Sequence, residues 1–147
     1  MTDQPTDLDQ VADARGIDFL RSTTTTRADR TASGEVSISV EHTARFAIEP
    51  GTLPDMTHQY GSQTFRPQFV TVEWHDGKLR RIAVRGQRVL KSGKVQDNGD
   101  PASRNFDWTG ADVERGRGYK DTPIPEALLA RIKTYETEVA ITAAEAH

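Results

Sequence analysis

The chain has 147 residues, no cysteine and a formal net charge of −3 at neutral pH, with 28% of its residues charged. A domain of this length buries roughly 70% of the surface its unfolded chain exposes, so it can hold a core without covalent staples. The missing cysteine excludes disulfides, thiolate metal sites and thiol catalysis.

Residues 1–16 are read as an acidic N-terminal arm, and residues 17–147 as one α+β domain. The arm is either a short helix over Leu8 to Ala14, with Asp7 as its N-cap, or a disordered tail, because its apolar content is thin. It has no apolar stretch preceded by basic residues and so is not a signal peptide, and nowhere does the chain show an apolar run long enough to span a bilayer. The expectation is a cytoplasmic protein with no membrane partner.

Gly16 closes the arm. The threonine-rich stretch Ile17 to Arg27 reads as an edge strand, and the polar segment Ala28 to Gly34 reads as a turn. The strongest periodic signal follows. Val36, Ile38, Val40, His42, Ala44, Phe46 and Ile48 alternate with mostly polar neighbours, the mark of a strand with one buried and one wet face. On that reading Val36, Ile38, Val40 and Phe46 are buried while Glu35, Ser37, Ser39 and Glu41 are exposed, and Ile38→Ala costs about 2–5 kcal/mol. Pro50-Gly51 stops the strand, and Thr52 to Gln63 is a loop.

Phe65 to Trp74 and Leu79 to Leu90 form a hairpin around Asp76-Gly77, whose residues supply the positive φ of a tight turn. A two-residue connection sets Trp74 opposite Leu79 and Glu73 opposite Arg80; a bulged turn shifts the pairing by one. Gln96 to Asp121 is polar, with Phe106, Trp108, Val113 and Tyr119 as scattered anchors, and reads as a long loop. Pro123-Ile-Pro-Glu opens a helix in which Leu128, Ile132, Tyr135 and Val139 form one stripe facing the sheet. The whole is an antiparallel meander of about four strands with the C-terminal helix on one face.

No pattern of catalytic or metal-binding residues emerges. His42, His58, His75 and His147 are not paired at metal-ligand spacing, and there is no phosphate-binding glycine loop or nucleophile elbow. No cofactor is expected. His42, on the apolar face of its strand, is read as a partly buried and hydrogen-bonded histidine.

Charge layout is more informative. Asp3, Asp7, Asp9, Asp13 and Asp18 face a single arginine, Arg15, near the start, whereas Lys78 to Lys94 holds seven basic residues and no acidic one. Arg81 and Arg85 share one strand face; Arg80 and Arg88 share the other, with Lys91 and Lys94 beyond. Arg115, Arg117, Tyr119 and Lys120 add a glycine-rich cationic segment. Together these ten residues are a candidate polyanion-binding set, since arginine forks grip phosphates and aromatic rings stack on bases. The competing reading is a solvated strand whose charges prevent edge association.

Residues 70–94, Val-Thr-Val-Glu-Trp-His-Asp-Gly-Lys-Leu-Arg-Arg-Ile-Ala-Val-Arg-Gly-Gln-Arg-Val-Leu-Lys-Ser-Gly-Lys, with the later Ile124-Pro-Glu-Ala-Leu, resemble small uncharacterised proteins of actinobacteria and their phages. The likeness covers about half the chain and transfers no catalytic residues. It implies a mobile-element setting and a cytoplasmic accessory role.

The expectation is therefore a non-enzymatic binding or accessory protein that works through protein contacts, self-association included. Ile141, off the Leu128–Val139 stripe, offers a second apolar surface for such contacts. Nucleic acid or another polyanion is the alternative ligand, and a small hydrolase-type enzyme without a recognisable motif is a further alternative.

Overall fold

The computed structural model describes residues 15–96 and 103–139; the Leu8–Ala14 helix, the Asp7 cap and Ile141 lie outside them. Six strands make one antiparallel sheet: β1 (Ile17–Arg30), β2 (Val36–Ile48), β3 (Met56–Thr57), β4 (Thr64–His75), β5 (Lys78–Arg88) and β6 (Ser103–Thr109). Their order is β1-β2-β4-β5-β6, with the short β3 beside the start of β4. A five-residue helix, α1 (Ala111–Arg115), follows the sheet, and α2 (Glu126–Val139) covers one face of it. The α+β class and the antiparallel meander stand, with six strands rather than about four.

Hydrophobic alternation explains which face is covered. Ala44, Phe46 and Ile48 of β2, Val70, Val72 and Trp74 of β4, Ile82 and Val84 of β5, and Phe106 and Trp108 of β6 all point to the same side. There they meet Leu128, Ile132 and Tyr135 of α2. Polar contacts fix the helix against the strands. Trp74 donates its indole N–H to Glu136 at 2.7 Å, Tyr135 shares a 2.7 Å hydrogen bond with His42 Nε2, and Arg131 donates to the Ile17 carbonyl at 2.8 Å.

The hairpin between β4 and β5 turns on Asp76 (φ 52°) and Gly77 (φ 81°), the two positive φ values of a type I′ turn. Trp74 opposes Leu79, but an irregularity beside it leaves Arg80 over and sets Glu73 opposite Arg81. The two-residue turn and its Trp74–Leu79 pair hold, while the expected Glu73–Arg80 pair is replaced by Glu73–Arg81 at 3.0 Å because of that strand bulge. The segment expected to be a long loop, Gln96 to Asp121, instead contributes β6, α1 and a 3-10 turn at Tyr119–Asp121. Seven residues with two inward side chains, Phe106 and Trp108, are too short a run for alternation to declare a strand.

The largest correction concerns β2. Phe46 is buried, but Val36 and Ile38 are 56% and 65% exposed, and Val40 is half-buried. Alternation identifies the apolar face; it does not supply the element that covers it. A helix of 14 residues extends about 21 Å, whereas 13 residues of strand extend about 43 Å. The helix covers only the second half of β2. Ile38→Ala should therefore change stability by less than about 0.5 kcal/mol, while Ile82→Ala in the covered core should lose about 2–5 kcal/mol. Urea unfolding of the two variants side by side checks this.

Candidate functional site

Beyond the helix, β1 and β2 leave the sheet as a two-stranded ribbon. β2 pairs with β4 only from Glu41 to Ala47. At the point of departure Asp76 closes the corner, its carboxylate accepting from the Val40 N–H at 2.8 Å and its own N–H donating to the Val40 carbonyl at 2.7 Å. From there the pairs Thr26–Val40 to Arg30–Val36 continue with no third strand among the described residues, ending in a turn through Gly34 at φ 90°.

The ribbon is two-sided. Thr24, Thr26, Ala28, Val36, Ile38 and Val40 lie on the helix side; Arg21, Thr23, Thr25, Arg27 and Asp29 lie on the open side with Ser37, Ser39 and Glu41. An isolated two-stranded ribbon is marginal in water, and this one carries an apolar face that α2 does not reach.

At its base sits His42. Thr24 Oγ1 holds Nδ1 and Tyr135 hydroxyl holds Nε2, both at 2.7 Å, and the ring lies against Trp74 and Tyr135. Both nitrogens are satisfied, the environment expected of a structural histidine. Burial pushes its pKa below the ordinary 6.5. A lowered histidine pKa means that the unfolded chain takes up a proton the folded protein resists. His42 thus leaves stability intact above about pH 6.5 and subtracts from it as the pH falls below that value. In urea titrations between about pH 7.5 and 5.5, His42→Gln should flatten the decline; an unchanged slope would exclude His42 as its source.

The opposite, uncovered face of the sheet gathers Arg45, Phe69, Thr71, Arg81, Ala83 and Arg85 around a shallow basin. Arg45 stacks its guanidinium 4.5 Å from the Phe69 ring centre, and its Nε is buried without a hydrogen-bond partner. Arg81 is clamped by Asp107 at 2.6 Å and Glu73 at 3.0 Å, and Asp107 above all raises its pKa.

The candidate cations divide into three places rather than one stripe. Arg81 and Arg85 lie on the open face. Arg88, Lys91 and Lys94 lie at one end of β5, the last two exposed in the turn closed by Leu90 N–H and the Lys94 carbonyl. Arg80 lies at the other end, about 27 Å of strand from Arg88, near α1 and the 115–120 segment. Arg115 is already paired with Asp112 at 3.2 Å and Arg117 with Asp121 at 3.5 Å, and the neighbouring Lys78 pairs with Glu114 at 2.9 Å. Lys78 holds the Glu114 carboxyl below the usual range. Lys120, at φ 57°, lies over the exposed Tyr119 ring. Arg45 and Phe69, which sequence reasoning did not single out, are brought to Arg81 and Arg85 only by strand pairing.

Among the described residues, no group of three or more His, Asp or Glu is placed to hold a metal ion, and no helix is long and apolar enough to cross a membrane. The molecule is a twisted antiparallel sheet with one covering helix, one open face and a projecting ribbon. Compared with protein families, with curated proteins and with solved structures, it matches none.

Proposed function

We propose that this is a non-enzymatic accessory protein that acts through protein–protein contact, with the β1–β2 ribbon as its docking element. The setting we propose is the cytoplasm during phage or mobile-element activity, as the resemblance of residues 70–94 implies. The observation that carries the reading is the exposure of Val36 and Ile38 on a ribbon with no third strand among the described residues. Apolar side chains on a marginal ribbon are stabilised when a partner covers them.

The test uses the double change Val36→Ser and Ile38→Ser. These sites are uncovered, so unfolding stability should move by less than about 0.5 kcal/mol per site. Capture of the tagged protein from its own cells should lose its stoichiometric protein partners, homotypic ones included. Identical partner recovery by the variant and the wild type would sink the proposal.

A second reading, a polyanion on the open face, is supported by Arg45 and Arg85 beside Phe69 in the basin. If those two arginines engage duplex phosphates, their joint replacement by alanine should shallow the log–log salt dependence of binding by about 1.8. No measurable DNA binding by the wild type at physiological salt would remove this reading.

A further inference from the structure

The two outer edges of the sheet are treated differently. On β6, the groups of Asn105 and Asp107 that face away from β5 are occupied. The Asn105 N–H donates to His58 Nδ1, the Asn105 carbonyl accepts from the Gln59 N–H at 3.0 Å, and the Asp107 N–H donates to Gln59 Oε1 at 2.9 Å. On β1, among the described residues, Arg131 caps the Ile17 carbonyl at the start of the strand, and nothing of the kind is present from Ser22 to Arg30. That strand holds no proline and no lysine, and its one irregularity falls at Leu20. Natural sheets blunt such edges with proline, lysine or bulges, or cover them, and from Ser22 to Arg30 this strand has no proline, lysine or bulge. Arg21, Arg27 and Asp29, all on the open side, have no ion pair among the described residues.

We propose that the occupant of the β1 edge is a second copy of this chain, whose own β1 adds antiparallel about a two-fold axis through Thr25. The proposal rests on the docking reading above and names its partner. A two-fold axis normal to the sheet keeps like faces together, so the axis must pass through a residue of β1 and each choice gives one register. The axis through Thr25 sets Arg21 opposite Asp29 of the second copy, and symmetry repeats that ion pair. Thr23 then opposes Arg27, Thr24 opposes Thr26, and Ser22 opposes Ala28. Moving the axis to Thr24 sets Arg21 against Arg27, a like-charge pair. Axes through Thr23 or Thr26 leave Arg21 and Asp29 without opposite charges.

The same register joins the exposed apolar groups. Leu20 comes opposite Arg30 of the second copy, which is paired to Val36. The exposed Phe19 and Leu20 of one copy thereby flank the ribbon tip of the other, where Val36 and Ile38 stand uncovered. Strand pairing and reciprocal ion pairs converge on one self-complementary surface, with exposed apolar side chains gathered at its two ends.

The absence of native cysteine makes the register directly testable. Directly opposed residues of antiparallel strands have Cα atoms about 4.5–5.5 Å apart, within disulfide reach. In purified full-length protein, with diamide as the acceptor of the two electrons and two protons that two thiols release, Thr25→Cys should convert most of the chain to a covalent dimer. Thr23→Cys and Arg27→Cys should not, because each lies roughly 13 Å along the strand from its own copy; the two combined in one chain should. Arg21→Asp should weaken self-association about tenfold, and adding Asp29→Arg should restore it.

A wild-type protein that sediments as a monomer at hundred-micromolar concentration would overturn the second copy as occupant. So would cross-linking through Thr23→Cys alone but not Thr25→Cys. If, in that event, Val36→Ser with Ile38→Ser still abolishes partner recovery, the docking reading stands with another partner. If recovery is also unchanged, both fall.

Discussion

Trp108→Ala should lose about 3–5 kcal/mol of unfolding free energy, as full truncation of a buried aromatic does. The side chain is wholly buried, its ring lies 4.7 Å from that of Phe106, and its indole N–H donates to the Thr122 carbonyl at 3.0 Å. The residue also seats the chain that leads into α2. A Cβ on Gly118 would lie only 2.6 Å from Trp108 Cδ1, so the glycine backbone packs directly on the indole. Around it, Gly118 donates to the Thr122 carbonyl at 2.8 Å and Ile124 to the Gly116 carbonyl at 3.0 Å. Losing Trp108 therefore opens a cavity and loosens the approach to the helix. The urea midpoint should fall with the slope unchanged. Trp108→Phe, which keeps a ring but removes one of the two donors to the Thr122 carbonyl and part of the packed volume, should fall between, at about 1–3 kcal/mol. A loss below about 1 kcal/mol for Trp108→Ala would mean that β6 does not close the core.

Gly86→Ala should be at least as damaging, costing more than about 3 kcal/mol or preventing folding. Gly86 pairs with Pro67 on one side and Arg104 on the other. An added methyl would run into the Arg66 carbonyl and sit 3.0 Å from the Phe65 ring. The obstacle is backbone, held by the Arg66–Asp55 ion pair at 3.0 Å and by the Phe65–Met56 strand pairing, so no rotamer change relieves it. The glycine is required here for room rather than for a positive φ. Circular dichroism and urea unfolding of the purified variant measure the effect; a stable Gly86→Ala protein would mean that the β4–β5 crossing is wider than described.

Gly86 also shows where legibility in the sequence ends. Its neighbours Ile82, Ala83, Val84 and Arg85 announce a strand by composition and alternation, but the reason for a glycine in mid-strand lies in Arg66, twenty positions earlier. The Asp76-Gly77 hairpin was legible because a tight turn is a local matter of φ and ψ. The α2 stripe was legible through Tyr135 because its period is local too. Phe106 and Trp108 read only as anchors, since two apolar residues in a polar stretch do not establish a period.

The candidate surfaces divide in the same way. The apolar face of β2, the cationic run from Lys78 to Lys94 and the place of His42 on that face were all determined by the sequence, because side-chain chemistry and strand parity travel with the chain. Tertiary structure alone decided which of these features remain uncovered. The length of α2 against the length of β2 leaves Val36 and Ile38 exposed. Strand pairing brings Glu73 and Asp107 onto Arg81 and sets Arg45 and Phe69 beside Arg85. Loop residues His58 and Gln59 occupy the edge of β6, whereas among the described residues no strand pairs with the outer edge of β1. Burial, neutralisation and edge cover are relations between distant segments, and a local pattern cannot contain them.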